Sequence, residues 1–293
     1  MDGSLAPSLS APHGDPDIRG LTADSRAVEP GFMFAALPGT KIHGKTFIGD
    51  AVKRGAAALL IDDAQDLPAL HREYPGIAVV VDPNPRLRLA QMAAHFYAPQ
   101  PKTLVAVTGT NGKTSVAAFT RQIWQHAGRR AASVGTLGVV GPDFELPGSL
   151  TTPDPVTLHR ELQDLARQRI DHVAIEASSH GLDQFRLDGL DVAAAAFTNL
   201  SRDHLDYHPT MAAYLAAKAR LFGELMPPGR VAVLNADVPE FESLARLCRS
   251  RSHAIYAYGT GVRTELRLLA ARPGAAGQEL DLKVLGRSHT VAL

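Results

Sequence analysis

The run Val105-Ala-Val-Thr-Gly-Thr-Asn-Gly-Lys-Thr-Ser115 joins an apolar segment to a glycine-punctuated turn and then to a helical pattern. Leu104 to Val107 reads as a strand and Gly109 with Gly112 as a tight loop. Lys113-Thr114 opens a helix whose stripe carries Val116, Phe119, Thr120 and Ile123. Glycines let backbone N–H groups close on a phosphate chain, and a helix N-terminus adds partial positive charge. Lys113 can neutralise terminal phosphate oxygens and the Thr114 hydroxyl suits Mg²⁺. The strict phosphate-loop pattern wants a glycine where this chain has Val107. The strand before and the helix after keep the context, so Gly109, Thr110, Asn111, Gly112, Lys113 and Thr114 are expected to bind ATP; the competing reading is a plain Gly-rich turn.

The chain has 293 residues, which predicts about two domains. Lysine plus arginine equals aspartate plus glutamate at 30 each, so no global field favours nucleic acid or an anionic membrane, and small-molecule partners are expected. The single cysteine, Cys248, excludes an intrachain disulfide framework and a cysteine-based zinc site, which fits a reducing, cytoplasmic setting. The longest apolar runs, Ala56 to Ile61 and Val192 to Phe197, have strand length, so a soluble chain is expected. Residues 1–17 lack a basic start followed by an apolar block and read as a disordered tail.

From Ile18 the pattern alternates: an apolar run Phe32 to Leu37, a helix with Phe47, Ile48, Ala51 and Val52, strands at Ala57 to Ile61 and Ile77 to Val81, and a helix from Pro85. Ala98-Pro-Gln-Pro-Lys102 reads as a linker, dividing a domain at 18–98 from one at 99–293. Beyond the loop come strands at Ala131, His172, Val192, Val231 and Ala254, and helices from Pro155, Met211 and Val238, the second running to Met226. Such alternation predicts an α/β fold: a small N-terminal α/β domain, then a phosphate-loop domain with a mostly parallel sheet covered by helices on both faces. Functional residues in such sheets sit at the carboxyl ends of strands.

Glu176 ends the strand from His172 and is a candidate Mg²⁺ ligand, against an ordinary loop acid. Asn199-Leu-Ser-Arg-Asp-His-Leu-Asp-Tyr-His208 crowds polar groups past another strand end; His204 is a candidate metal ligand, with His208 a second and a purely structural histidine the alternative. Lys218 falls on the same inward stripe as Met211, Tyr214, Leu215, Phe222, Leu225 and Met226. An inward lysine can pair with a carboxylate, snorkel, or react with carbon dioxide to form a carbamate, and chemistry alone favours snorkelling.

Gly109 to Thr114, Thr151-Thr-Pro-Asp-Pro155, Glu176-Ala-Ser-Ser-His-Gly-Leu-Asp-Gln-Phe-Arg186, Asn199 to His208 and Tyr214-Leu-Ala-Ala-Lys-Ala-Arg-Leu-Phe222 together resemble the Mur ligases, from about Leu21 to the end. The resemblance implies ATP as co-substrate, with Mg²⁺ held by Thr114, Glu176, His204 and Lys218 as a carbamate; Lys113, Lys218, Glu176 and His204 are the implied catalytic set. It implies a UDP-muramoyl dipeptide, UDP-MurNAc-L-Ala-D-Glu, on Ser25, Thr151, Thr152, Ser178, Gln184 and Arg186, with the first domain taking the UDP part. The implied reaction adds a third amino acid, diaminopimelate or lysine, through an acyl phosphate, in a monomer. Family members carry a third, C-terminal domain, so the chain is expected to stop inside the central domain and to be inactive alone. Folylpolyglutamate synthases share the loop and the lysine, but Asp24-Ser-Arg and Ser178-Ser-His-Gly favour the muramyl enzymes. A non-catalytic binding module is the other alternative.

Overall fold

The computed structural model describes every residue except 1–7, 12–13, 40–41, 149, 205 and 276. Part of the expected tail and one position of the polar cluster at 199–208 therefore lie outside the described residues. The chain divides into two compact units, Met1–Ala98 with Pro155–Arg160, and Pro99–Asp154 with Glu161–Leu293.

The first unit holds β1 (Ser8–Ser10), β2 (Gly20–Thr22), β3 (Phe32–Ala35), β4 (Ala58–Ile61) and β5 (Ala78–Val81), with α1 (Ile48–Lys53), α2 (Leu67–Glu73) and α3 (Pro85–Phe96). Its sheet runs β1-β5-β4-β3-β2, parallel except for β1. Alternate strand residues serve opposite faces. Phe34, Leu59, Ile61 and Val79 meet Ile48, Ala51 and Leu70 on one side, while Met33, Leu60 and Val80 meet Leu89 and Ala93 on the other. Strand β1 corrects the expectation of a tail over 1–17: Ser8, Leu9 and Ser10 pair with Val81, Val80 and Val79 and so satisfy the edge of β5.

In the second unit, β6 (Thr103–Thr108), α4 (Lys113–His126), β7 (Ala131–Gly135), β8 (Gly138–Val140) and β9 (Glu145–Leu146) come first, then α5 (Pro155–Arg167), which begins in the first unit. β10 (His172–Glu176), α6 (Ser179–Asp183), β11 (Val192–Phe197) and α7 (Met211–Arg220) follow. The rest is β12 (Val231–Asn235), α8 (Phe241–Ser250), β13 (Ala254–Gly259), β14 (Leu266–Gly274), β15 (Gly277–Val284) and β16 (Arg287–Ala292). The sheet order is β16-β15-β14-β13-β12-β11-β6-β10-β7-β8-β9. Its centre is parallel, with β6 between β10 and β11, and antiparallel hairpins extend both edges.

Phe119 and Ile123 of the α4 stripe are 60% and 67% exposed, while Ala117 is buried and, with Val116 and Trp124, packs over Val105, Val107, Ala174 and Ala196 of the sheet. A cleft of about 230 Å³ lies beside these contacts, lined by Val116, Ala117 and Thr120 of α4 and by Ala194, Ala196 and Val233 of the sheet. Two expectations are corrected. The helix from Met211 is α-helical to Arg220 and continues as a π-turn, Leu221–Leu225, and Met211 itself is 37% exposed. The second concerns Lys218, described below.

Candidate functional site

Strand β6 delivers the loop 109–112 to the carboxyl edge of the sheet, where α4 begins at Lys113. Gly109 and Gly112 have φ of +141° and +86°, conformations that a side chain strains. A Cβ on Gly109 would also strike the Thr198 hydroxyl. The loop is strapped to the end of β11: Thr198 Oγ1 donates to the Asn111 carbonyl (2.6 Å), the Asn111 amide to Asn199 Oδ1 (3.0 Å) and the Thr110 amide to the Asn199 carbonyl (2.8 Å). Thr110 Oγ1 accepts from the Ser201 amide at 2.9 Å and lies 3.3 Å from the Tyr214 hydroxyl.

Lys113 Nζ donates to the carbonyls of Gly109 (2.9 Å) and Thr110 (2.7 Å), and burial pushes its pKa down. Thr114 Oγ1 donates to Glu176 Oε2 at 2.9 Å. Glu176 is 2% exposed and also accepts from the Thr136 amide (2.8 Å) and hydroxyl (3.3 Å). A hydroxyl and a carboxylate joined beside Lys113 form an oxygen donor set that fits Mg²⁺.

Lys218 is 1% exposed, which rules out snorkelling. Its amine donates to the Gly109 carbonyl (2.8 Å) and lies 4.3 Å from the centre of the Tyr214 ring. Burial and, after it, the Lys113 charge lower its pKa to about 7. His204 adopts φ of +53° with a side chain 44% exposed, and its ring meets His180 edge-on at 4.9 Å. His208 is 3% exposed and its ring lies 5.2 Å from that of Tyr214, tilted by 33°. Thr114 and Glu176 are thus brought together, whereas among the described residues no three His, Cys, Asp or Glu side chains converge on one metal position.

A second network starts at the end of β10. Thr152 Oγ1 donates to the Glu176 carbonyl (2.8 Å) and accepts from the Ser178 amide (3.0 Å); Ser178 caps α6 through the Gly181 amide. Arg186 donates to the Thr152 carbonyl (2.7 Å) and to Gln184 Oε1 (2.8 Å), and Gln184 reaches the Tyr207 hydroxyl. Thr151 and Thr136 hydroxyls lie 3.1 Å apart, so Thr136 links this network to Glu176. Ser25 lies in the first unit, on a turn capped by Asp24, whose carboxylate Arg26 holds below the usual range. Sequence reasoning missed Thr136, Thr198 and Tyr214. The first two follow the last apolar residues of β7 and β11, the strand-end position that marks functional groups in such sheets.

A family model described as "Mur ligase middle domain" matches residues 107–292, and one described as "Mur ligase family, catalytic domain" matches 17–97. A UDP-N-acetylmuramoyl-L-alanyl-D-glutamate--2,6-diaminopimelate ligase of Bradyrhizobium diazoefficiens is 48% identical over 295 residues, covering 100% of this chain and 59% of that protein. The solved structure of a ligase of the same name superposes with a TM-score of 0.82 at 31% identity, over 94% of this chain and 55% of that one. A folylpolyglutamate synthase of Mycobacterium tuberculosis, solved with ADP and AMPPCP, gives 0.55 at 20% identity, over 70% of this chain and 52% of that one; it shares the fold alone. The chain thus spans little more than half the length of these relatives. With the strand–loop–helix at Gly109 to Lys113 lying inside the longer match, this chain belongs to the Mur ligase family.

Proposed function

We propose that this chain supplies the nucleotide and muramoyl-peptide sites of an ATP-dependent amide ligase that adds diaminopimelate to UDP-MurNAc-L-Ala-D-Glu. The observation that carries the reading is the Thr114–Glu176 contact at 2.9 Å beside Lys113, at the mouth of the glycine loop. Diaminopimelate, rather than lysine, is favoured by the name of the relative at 48% identity.

In this reading Gly109 to Gly112 and the start of α4 cradle the ATP phosphates, and Lys113 exchanges carbonyl partners for phosphate oxygens, which make stronger, charge-assisted bonds. Thr114 and Glu176 would hold Mg²⁺, with His204 and a carbamate on Lys218 as further ligands, and the ion would supply charge neutralisation between anionic reactants. Ser25, Thr151, Thr152, Ser178, Gln184 and Arg186 bind the UDP-muramoyl dipeptide, with the UDP part on the domain at 18–98 and ATP on that at 99–293. Arg186 clamps an anionic group of that substrate. The D-glutamyl carboxylate attacks the γ-phosphate, ADP leaves, and the amine of the third amino acid displaces phosphate from the acyl phosphate. The loop contacts fix the geometry of attack. The protein acts as a cytoplasmic monomer on small molecules, and this chain alone does not turn over.

Calorimetry tests the assignment: the chain should bind Mg-ATP and UDP-MurNAc-L-Ala-D-Glu and release no phosphate with diaminopimelate added. Binding of a folate in place of the muramoyl nucleotide would transfer the chain to the folylpolyglutamate reading.

A further inference from the structure

Arg220 stands two residues beyond Lys218 on α7, and residues so spaced point to nearly opposite sides of a helix. While Lys218 reaches the glycine loop, Arg220 reaches the end of α6 and the turn that follows it. Its guanidinium makes a two-pronged pair with Asp188, Nη2 to Oδ1 at 2.6 Å and Nη1 to Oδ2 at 3.0 Å, and Nη1 also donates to the Leu182 carbonyl at 2.7 Å. The guanidinium carbon sits 4.1 Å from the centre of the Phe185 ring. Both charged side chains are nearly buried, at 12% and 11% exposure.

These contacts bracket a seven-residue segment at its start, middle and end, and Gln184 and Arg186 lie within it. Phe185 between them has φ of +59°, an unfavourable conformation for an aromatic residue and one that persists only where neighbours over-determine it. A buried ion pair is a poor source of stability compared with an apolar pair of similar size, so a forked pair, a carbonyl and a ring converging on one turn serve its shape.

We infer that Arg220 is a positioning residue for the UDP-muramoyl dipeptide, holding the 182–188 turn so that Gln184 and Arg186 keep the arrangement in which they bind that ligand. This rests on the substrate reading above. It also makes α7 a shared support, touching the glycine loop through Lys218 and the substrate turn through Arg220, so that the two ligand sites are built against one helix.

The test is calorimetry of the 293-residue chain with UDP-MurNAc-L-Ala-D-Glu and, separately, with Mg-ATP, for the wild type, Arg220→Leu and Asp188→Asn, each with its thermal midpoint. Both variants should bind the muramoyl nucleotide about tenfold or more weakly and ATP within about twofold of wild type. Arg220→Lys, which keeps the charge and loses the fork, should fall between. Equal weakening of both ligands would reduce Arg220 to a structural residue, and unchanged muramoyl affinity in either folded variant would overturn the inference. If Arg220→Leu does not fold, Asp188→Asn, which keeps one acceptor, decides. A wild-type chain that binds ATP but not the muramoyl nucleotide would overturn the substrate reading, and this inference with it.

Discussion

Replacing Lys218 by methionine should remove a pH dependence of stability that the wild-type chain carries. The amine is held at about 7 in the folded chain, chiefly by burial and then by the Lys113 charge. A free lysine titrates at about 10.4. Between those values the unfolded chain binds one proton more at this residue than the folded chain, so stability rises with pH, by about 1.4 kcal/mol per unit. Above the free-lysine value both states are neutral and the burial penalty is absent. As pH falls from there to about 7 the penalty grows, and below about 7 it is complete and constant. Methionine fills similar space without the charge, so the difference between the two proteins reports Lys218 together with its coupling to Lys113 and cancels the groups that do not interact with it. Urea unfolding in carbonate-free buffer at constant ionic strength should show the wild type gaining about 3 kcal/mol on Lys218→Met between pH 7 and 9.5. Parallel stability curves would refute the placement of the amine in a desolvated site beside Lys113.

Lys113→Ala should weaken ATP binding by at least about a hundredfold, because it removes the charge set against the terminal phosphates; unchanged affinity by calorimetry would sink the loop assignment. Arg186→Ala should weaken the muramoyl nucleotide and leave ATP untouched, and matched losses would make Arg186 structural. With ¹³C-bicarbonate, a carbamate signal on Lys218 should be weak in the chain alone and rise with Mg-ATP; a strong signal without either would show that the site is preorganised. The double variant Phe119→Ser, Ile123→Ser should change stability by no more than about 1 kcal/mol, since both side chains already face solvent. A larger loss by urea unfolding would mean that this face is covered.

The fold was legible wherever periodicity and punctuation agreed. The apolar runs of β10 and β11 between turn signals read as buried strands, Pro155 as the start of a helix, and the structure has all three. Pattern says less at α4, where Phe119 and Ile123 share the stripe yet stay exposed; spacing says which residues share a face and not whether that face meets anything. It misled at Ser8–Ser10 because a three-residue edge strand takes its stability from Val79 to Val81 rather than from its own side chains. That Lys113, Thr114 and Glu176 stand at strand and helix ends was readable from the pattern. Thr136 was not, because its contribution to Glu176 is partly a backbone amide, which every residue except proline carries. Arg220 was hidden for a related reason: a charged residue near a helix end reads as solvated until its partner, 32 positions earlier in the chain, is brought beside it.

The convergence of Lys113 and Lys218 on one carbonyl oxygen, that of Gly109, explains why an inward lysine is tolerable here and what chemistry it favours. Burial and, after it, repulsion between two ammonium groups on a shared acceptor bring Lys218, the more deeply enclosed of the two, down to about 7, so the neutral amine is populated near neutral pH. The neutral amine is the form that attacks carbon dioxide. The carbamate proposed above would reverse the charge on that side chain, and Lys113, which disfavours the ammonium, would attract it. The same reversal would leave an anion within reach of the glycine loop that precedes Thr114. A position on the apolar stripe of α7 would thereby become an oxygen donor without any change of backbone, letting a helix otherwise built with Tyr214 and Ala217 as core contribute to a hydrophilic site.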